Sequence, residues 1–345
     1  MRIDEIENEK IIKEDYFSVK AISATSLSWF EQSPIYYKKK IDAGSYKKTK
    51  YMELGTAIHM AVMEPTKFKE EYVRCIGKIG AKMGVYAESF ADVLIGGETE
   101  EVAHEIAYIK SEFVGKPESI AKKFDEDRKI QKYVDFLRKN SGKIIMNEED
   151  WSTVEICRNS ILQHKKATWF FDESDSNFEH FVEQEIYWST INLKGIDFDL
   201  PLKSKLDKIV VDKVNGIIYF PDIKSTSKNV HNYPKTKEFI RCIRQLSFYC
   251  DALKRWSKER YGKVFTIVPY LIVVQTTDCN ETVVYALGDS YMLCGRYGGK
   301  VNNTHILGYG NLLKEIKWHT DNNQWNYPRS YYEGDGVVEL NLKDE

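Results

Sequence analysis

No stretch of this sequence approaches the ~20 consecutive apolar residues that a membrane-spanning helix requires. Its first residues, MRIDEIENEKIIKED, are acidic and lack the apolar segment of a secretory leader. Cysteine is scarce, with six in 345 residues and no CxxC pair, which excludes a disulfide-based scaffold. These absences favour a cytoplasmic protein whose thiols are mostly reduced.

The sequence has neither a strong positive charge that would indicate nucleic-acid binding nor a phosphate-binding loop that would indicate a nucleotide. The net charge is −2, so nucleic-acid binding would need a local basic patch. A GxxxxGK[ST] loop is missing, because GRYGGKV at 295–301 has the wrong spacing, and we expect no nucleotide cofactor. Hydrophobic residues make up 42% of the chain, which is enough for a sizeable core in one large or two ordinary domains.

Helical patterns come first along the chain and strand patterns follow. Residues 24–41 and 98–139 have helical spacing, with Thr25 or Ser26 as the expected N-cap of the first helix. Near residue 178 the pattern becomes that of alternating strands, and 264–277 is the apolar run of a strand covered on both faces. Further helices are predicted at 53–64, 147–164, 236–260 and 303–317. This order predicts an α/β fold with a helical N-terminal half.

One hairpin carries the residues with the most evident chemistry. Asn215-Gly216 between two strand patterns is a strong hairpin signal. Asp222 and Lys224 share one face of the second strand, because alternate residues of a strand point the same way. The turn would fold Asp207 of the first strand back beside them. Two carboxylates with an ammonium group suit Mg²⁺ or Mn²⁺, held together with waters and substrate phosphate.

The same spacing has a second interpretation. An Asp and a Lys two residues apart on a strand most often form an ordinary solvated face. Ile218, Phe220 and Ile223 surround the charges with apolar neighbours, which is unusual for such a face. Pro221 also indicates a local break in strand pairing, as at a bulge or an edge. These features favour the metal site without excluding the alternative.

Four segments in order resemble the PD-(D/E)XK nuclease superfamily. They are ISATSLSWFEQSPIYYKK (22–39), LGTAIHMAVMEPTKF (54–68), SKLDKI through PDIKST (204–226) and RQLSFYCDAL (244–253). Within the superfamily they look most like RecE-type exodeoxyribonucleases (exonuclease VIII-like), which are related to the RecB and Cas4 nuclease domains. The resemblance implies a restriction-endonuclease-like core, in which a mixed sheet is flanked by helices.

The resemblance also implies roles for individual residues. His59, Asp207, Asp222 and the carbonyl of Ile223 would be metal ligands, and Lys224 would be the catalytic lysine beside Asp207 and Asp222. The alternative for His59 is an ordinary core histidine. Mg²⁺ is the expected cofactor, with Mn²⁺ as a substitute.

Other residues would contact DNA or support the site. Gln245 and Tyr249 are four apart on one helix face, and the resemblance implies that this face contacts the DNA backbone, with Arg241 one turn earlier. Glu183 and Glu185 are equally defensible matches to a glutamate near the site. The lysine–tyrosine stretch 36–50 includes Lys38, Lys39 and Lys40, and it is either a DNA track or a solvated helix end.

The resemblance implies an exonuclease that resects duplex DNA ends from 5′ to 3′ in phage or prophage recombination. Double-stranded DNA ends, a single-strand annealing protein and a homo-oligomeric ring are the implied partners, in the cytoplasm of a bacterial or phage-infected cell. Two alternatives stay open. One is a Cas4/RecB-like nuclease with endonuclease or 3′ activity, and the other is a non-catalytic DNA-end-binding protein.

The expected organisation has three parts. Residues 1–21 form a charged lead-in, 22–150 form a helical part that carries the histidine motif, and 151–345 form the nuclease core and tail. Residues 80–140 match no family segment and are expected to be an insertion. Relatives that ligate an iron–sulfur cluster begin with a cysteine where this chain has Ser33, and no cysteine trio follows near the C-terminus. We therefore expect no cluster.

Overall fold

The computed structural model describes residues 16, 18–44, 50–75 and 77–337. It divides into two compact units, a sheet unit (the described residues of 1–52 and 160–345) and a helical unit (53–159). The helices are α1 (Ala24–Gln32), α2 (Pro34–Ala43), α3 (Lys50–Met63), α4 (Pro65–Glu71), α5 (Ala81–Ile95), α6 (Glu100–Ser111), α7 (Pro117–Glu126), α8 (Arg128–Lys139), α9 (Glu148–Gln163), α10 (Lys165–Phe171), α11 (Lys237–Tyr261), α12 (Asp289–Tyr297), α13 (Tyr309–Asn322) and α14 (Arg329–Glu333). The strands are β1 (Tyr72–Arg74), β2 (Ile144–Met146), β3 (Phe178–Ser189), β4 (Pro201–Asp212), β5 (Ile217–Thr226), β6 (Thr266–Gln275), β7 (Thr282–Ala286), β8 (Gly299–Val301) and β9 (Thr304–Ile306).

The sheet unit is built on a mixed five-stranded sheet of order β3-β4-β5-β6-β7. Among the described strands of this sheet, β5 and β6 pair in parallel and the other neighbours are antiparallel, and α11 provides the long crossover that a parallel pair needs. The side chain of Thr236 caps the start of α11, and Gly262, with φ of +71°, ends it in the left-handed conformation. The predicted α/β class, a mixed sheet flanked by helices, is confirmed.

One face of the sheet packs against α11 and forms the main core. Its members are apolar residues from β4, β5, β6 and α11, and they include Leu206, Phe220, Leu271, Leu246 and Phe248. The predicted continuous apolar run lies in β6, where Leu271, Ile272, Val273 and Val274 are all buried. A strand covered on both faces has no solvent-facing positions, which explains the lack of alternation.

The predicted hairpin joins β4 to β5 through residues 213–216. The Asp212 carboxylate accepts hydrogen bonds from the Asn215 backbone N–H (2.9 Å) and side-chain amide (2.7 Å). Gly216 has a φ of +66°, which glycine adopts without a steric penalty. The turn is longer than a two-residue Asn-Gly turn, but it places β4 and β5 side by side as the sequence predicts.

Two helix predictions need correction. The helix expected at 24–41 is broken at Ser33, whose side chain caps α2 with Pro34 at its first position, and the N-cap of α1 is Ser23. The helix expected at 303–317 begins only at Tyr309, because residues 304–306 form β9.

The helical unit has a separate core. The predicted helical stretch 98–139 forms α6, α7 and α8, which pack with α5 around buried residues such as Tyr86, Phe90, Ala107, Phe124 and Tyr133. The unit boundaries differ from the expected ones at 22 and 150. Leu27, Phe30 and Tyr37 belong to the core of the sheet, which groups residues 22–52 with the sheet unit. Most of the lead-in 1–21 lies outside the described residues.

None of the helices in the described ranges combines the length and the apolar composition that a membrane crossing requires.

Candidate active site

The strands β4 and β5 pair at one end of their hairpin and separate at the other. Their register joins residues 210–212 to 217–219, and no further pair between them is found among the described residues. Pro221, just beyond the last pair, has no N–H to donate to a ladder. We call residues 210–219 the turn end, and the separated parts, 203–209 of β4 and 220–226 of β5, the open end. Continuing the register by count places Asp207 opposite Asp222.

At the open end a side chain replaces the backbone ladder. The Ile223 N–H donates a hydrogen bond to Asp207 Oδ2 at 3.2 Å. The N–H and carbonyl of one strand residue point to the same edge of the strand, so the Ile223 carbonyl also faces β4. The structure thus places the two predicted groups, the Asp207 carboxylate and the Ile223 carbonyl, on the same side of β5.

Asp222 and Lys224 lie together, as their spacing predicts. Lys224 Nζ is 2.6 Å from Asp222 Oδ2, and Asp222 is 2% exposed. Oδ2 is a buried oxygen that forms this ion pair and has no hydrogen-bond partner among the described residues. Burial alone would lower the pKa of Lys224, but the surrounding negative charge, chiefly that of Asp222, raises it above its ordinary value. The lysine is therefore a cation at neutral pH.

Helix α11 supplies the polar cover of the open end. The Gln245 side-chain amide donates hydrogen bonds to Asp222 Oδ1 (3.1 Å) and to the Tyr249 hydroxyl (3.0 Å). On this predicted face Gln245 contacts the carboxylate directly, and Tyr249 contacts Gln245. Burial, followed by the charge of Asp222, raises the pKa of Tyr249 well above its usual value, so its hydroxyl stays protonated.

Beneath these groups lies a cysteine whose role the sequence did not reveal. Cys242 is buried on α11, and its sulfur is 3.4 Å from the Tyr233 hydroxyl. Burial raises the pKa of Cys242 to about 11, so it is a neutral thiol and adds no charge under Lys224. No sequence motif marks this residue, since its position depends on how α11 packs on the sheet.

Glu183 lies level with Asp207 on the neighbouring strand. The pairs Val182–Lys208 and Gln184–Leu206 flank this level, while Glu183 itself has a left-handed φ of +51°. Its carboxylate forms an ion pair with Lys205 Nζ at 2.9 Å. A left-handed glutamate within a strand is strained, and such strain concentrates near functional sites.

At the level of Glu183, the residues of β3 and β4 that point to the core change from one set of alternate positions to the other. In β4, Leu206 and Ile209 both belong to the core, although residues three apart normally point to opposite faces. In β3, Ile186 belongs to the same core and Phe181, five residues earlier, packs against it. Glu183 and Asp207 therefore lie where both strands switch faces.

Glu185 lies two residues beyond Glu183 along β3, opposite Lys205, where it accepts a hydrogen bond from the Tyr187 hydroxyl at 3.2 Å. Of the two glutamates considered from the sequence, Glu183 is the one level with Asp207. Glu185 belongs to the neighbouring group of tyrosines.

The predicted DNA-contact residues are less closely grouped. Arg241 is 46% exposed and lies 3.5 Å from Glu31 of α1. On α2, Lys38 is paired with Asp42 at 2.5 Å, Lys39 is exposed, and Lys40 lies 5.3 Å from the Tyr36 ring. Residues 45–49 of the lysine–tyrosine stretch lie outside the described residues. The role of the stretch in binding DNA stays a prediction.

The remaining predicted ligand, His59, is a half-buried residue of α3 in the helical unit. Within the described residues of either unit, no group of three or more His, Cys, Asp or Glu side chains is arranged to hold a metal ion. Mg²⁺ does not need such a protein cage, since it is commonly bound by one or two carboxylates plus waters and phosphate. Asp207, Asp222 and the Ile223 carbonyl fit that pattern of all-oxygen ligands, and Asp222 Oδ2 is a buried oxygen that is bonded through its ion pair with Lys224.

A comparison with family models identifies the family of the chain. The family described as a PDDEXK-like domain of unknown function (DUF3799) matches residues 23–307, so the chain belongs to this family. The superfamily inferred from the sequence motifs is thereby confirmed, and membership supports a nuclease.

A solved structure of a candidate exonuclease from Eubacterium rectale is similar over 86% of this chain and 97% of that chain, with 10% sequence identity and a TM-score of 0.31. The comparison with curated proteins gave no match.

Proposed function

We propose that this protein is a divalent-metal-dependent DNA exonuclease that hydrolyses phosphodiester bonds at duplex ends. The observation that carries the proposal is the grouping of Asp207, Asp222 and Lys224 where β4 and β5 separate, under the polar cover of Gln245 and Tyr249. Membership of a PDDEXK-like family supports the same chemistry. A solvated strand face, the alternative interpretation of the spacing, would not bury Asp222 to 2% exposure.

The metal would be held by oxygen atoms of the open end. Asp207, Asp222 and the Ile223 carbonyl are the proposed ligands, and for His59 the role of a metal ligand rests on the sequence resemblance. When bound, Mg²⁺ or Mn²⁺ lowers the pKa of a coordinated water and stabilises charge on the phosphate. We propose no iron–sulfur cluster and no nucleotide.

The residues of the chain have separate tasks in this reaction. Lys224 is cationic and 28% exposed, so its ammonium can reach solvent and donate hydrogen bonds to the attacking water or to a phosphate oxygen. Gln245 fixes Asp222 by donating to Oδ1, which leaves Oδ2 for the metal and Lys224. Tyr249 in turn accepts from Gln245 and limits its rotation.

The protein would bind its DNA substrate through the sugar-phosphate backbone. Arg241 and the lysines Lys38, Lys39 and Lys40 are the proposed phosphate contacts, and backbone contacts position DNA without reading its sequence. The finer proposal is 5′-to-3′ resection in phage-type recombination, with a single-strand annealing protein and a ring-shaped homo-oligomer as partners in the cytoplasm. This part follows from the resemblance to RecE-type enzymes.

A direct experiment uses end-labelled linear duplex and closed circular duplex, each with Mg²⁺ or with EDTA. We expect degradation of the linear DNA alone, loss of activity in EDTA, and the same loss in Asp222→Ala. Nicking of the circle would favour the Cas4/RecB-like alternative. DNA binding without cleavage in Mg²⁺ would contradict the enzyme and favour a DNA-end-binding protein.

A further inference from the structure

The edge of β4 that β5 leaves is occupied by the segment before α1. The Ile22 N–H donates to the Pro201 carbonyl, and the Lys203 N–H donates to the Ile22 carbonyl, both at 2.9 Å. These bonds form a parallel bridge between Ile22 and Leu202. Since β3 occupies the other edge of β4 at these residues, the segment lies on the side where β4 and β5 have separated.

A buried lysine of β4 forms hydrogen bonds with this segment. Lys203 is 8% exposed, and its Nζ donates to the carbonyls of Tyr16 (2.7 Å) and Val19 (2.8 Å). The same ammonium lies 4.7 Å from the centre of the Tyr16 ring, a cation–π contact. Burying a lysine is costly unless it is well hydrogen-bonded, so Lys203 fixes Tyr16 rather than serving as a surface charge for DNA.

The tethered Tyr16 lies next to a second tyrosine, Tyr187. Their ring centroids are 6.3 Å apart at an angle of 46°. Tyr187 is 44% exposed, and its orientation is held by its hydrogen bond to Glu185. We call Tyr16 and Tyr187 the tyrosine pair. An exposed ring that is held by a hydrogen bond and a neighbouring ring can receive another flat ring.

The tyrosine pair is close to the proposed reaction centre. Tyr187 is opposite Lys203, four residues along the strand from the level of Asp207, which is about 13 Å at the rise of a β-strand. Tyr16 also contributes to the raised pKa of Tyr249, after burial and the charge of Asp222. A DNA strand whose phosphate lies at Asp207 and Asp222 would bring a base within a few nucleotides to the pair.

We propose that the tyrosine pair stacks on an unpaired base of the strand being cut, so that the site takes frayed or single-stranded ends. The inference deepens the proposed function and rests on it. Stacking on an aromatic ring is tolerant of sequence, because every base has a π-face. This fits a nuclease that degrades ends without reading them. Ordinary packing of two tyrosines is the competing explanation.

The test compares a labelled single-stranded oligonucleotide with the same oligonucleotide made abasic at its terminal nucleotides. Binding of the full chain is followed by fluorescence anisotropy in EDTA, and cleavage is followed in Mg²⁺. We expect Tyr187→Ala to weaken binding of the intact strand roughly tenfold, within the range for loss of a stacked base, and to have little effect on the abasic strand. Tyr187→Phe keeps the ring and should stay within about twofold of wild type.

Tyr331→Ala is the matched control. Tyr327 and Tyr331 form another exposed pair in the sheet unit, with centroids 4.0 Å apart and Tyr331 41% exposed. Its loss should leave binding unchanged. The wild-type protein adds a test that needs no variant to fold, because it should bind the abasic strand about tenfold more weakly than the intact one.

The outcomes separate the two proposals. If wild type cleaves DNA and Tyr187→Ala binds the intact strand as tightly as Tyr331→Ala does, the stacking role of the tyrosine pair is overturned. The proposed nuclease activity is then unaffected. Base-dependent binding without any cleavage would support the pair and overturn the nuclease. Equal binding of intact and abasic strands, or no binding at all, would overturn the role of the pair.

Discussion

Asp212 at the turn end of the β4–β5 hairpin and Asp222 at the open end are both buried, but their side chains have different contacts. At the turn end, Asp212 accepts hydrogen bonds from Asn215 and closes a regular ladder. At the open end, Asp222 contacts Lys224 and Gln245, and no backbone pairs between β4 and β5 are found there among the described residues. In the regular ladder the backbone N–H and carbonyl groups of the two strands bond to each other. Where the ladder stops, a side chain such as Asp207 bonds to the backbone instead, and the charged side chains of the site are grouped there.

The largest expected effect comes from removing the cation of the open end, Lys224. Lys224→Gln should lower the single-turnover rate of cleavage in Mg²⁺ by about 10²–10³-fold, the usual cost of losing a group that stabilises charge in the transition state. Lys228→Gln is the matched control, since Lys228 is 60% exposed beyond the end of β5 and is paired with Glu238. Equal rates for the two variants would mean that Lys224 has no part in the reaction.

A second prediction concerns the strain beside Asp207. Glu183→Gly can adopt the left-handed φ freely, whereas Glu183→Val cannot, although both lose the ion pair with Lys205. We expect the valine variant to be less stable than the glycine variant by about 1–3 kcal/mol in urea unfolding, with a correspondingly larger loss of cleavage. Valine and glycine variants of equal stability would show that β3 does not need the left-handed turn.

The smallest predicted effect belongs to the turn end and depends on pH. Hydrogen bonds from the Asn215 backbone and side chain hold the pKa of Asp212 below its ordinary value. A depressed pKa in the folded state gives stability that is present above the unfolded pKa and is lost as the pH falls through the folded one. Asp212→Asn should therefore cost about 1 kcal/mol near pH 7, and the difference from wild type should shrink below about pH 4.

Thermal unfolding from pH 7 to pH 3 measures this difference. A gap between Asp212→Asn and wild type that stays constant across the acid range would contradict the assigned role of the carboxylate.

The sequence predicted the parts of the site that depend on local geometry. The two-residue period of a strand predicts that Asp222 lies beside Lys224. Asn215-Gly216 predicts the turn between β4 and β5, and helical spacing predicts that Gln245 and Tyr249 share one face. Each of these relations follows from the repeat of a single strand, turn or helix, so it can be found without knowing the rest of the fold.

The missed features all depend on contacts between distant segments. Glu183 lies in a stretch that alternates like any strand, and its left-handed φ follows from how β3 and β4 must both turn to the same core. Lys203 resembles an ordinary charged strand residue, but it is buried because the segment at Tyr16 and Ile22 covers it. The helical spacing of residues 24–41 favours grouping them with the helical part, although Leu27, Phe30 and Tyr37 pack in the core of the sheet.

The most direct measurement uses the two aspartates of the hairpin as each other's control. Asp222→Asn and Asp212→Asn make the same chemical change in two buried residues of the same hairpin. End-labelled linear duplex in Mg²⁺ should be left intact by folded Asp222→Asn, and it should be degraded at close to the wild-type rate by Asp212→Asn. Full cleavage by Asp222→Asn, or equal loss of activity in both variants, would contradict a metal-dependent site at the open end.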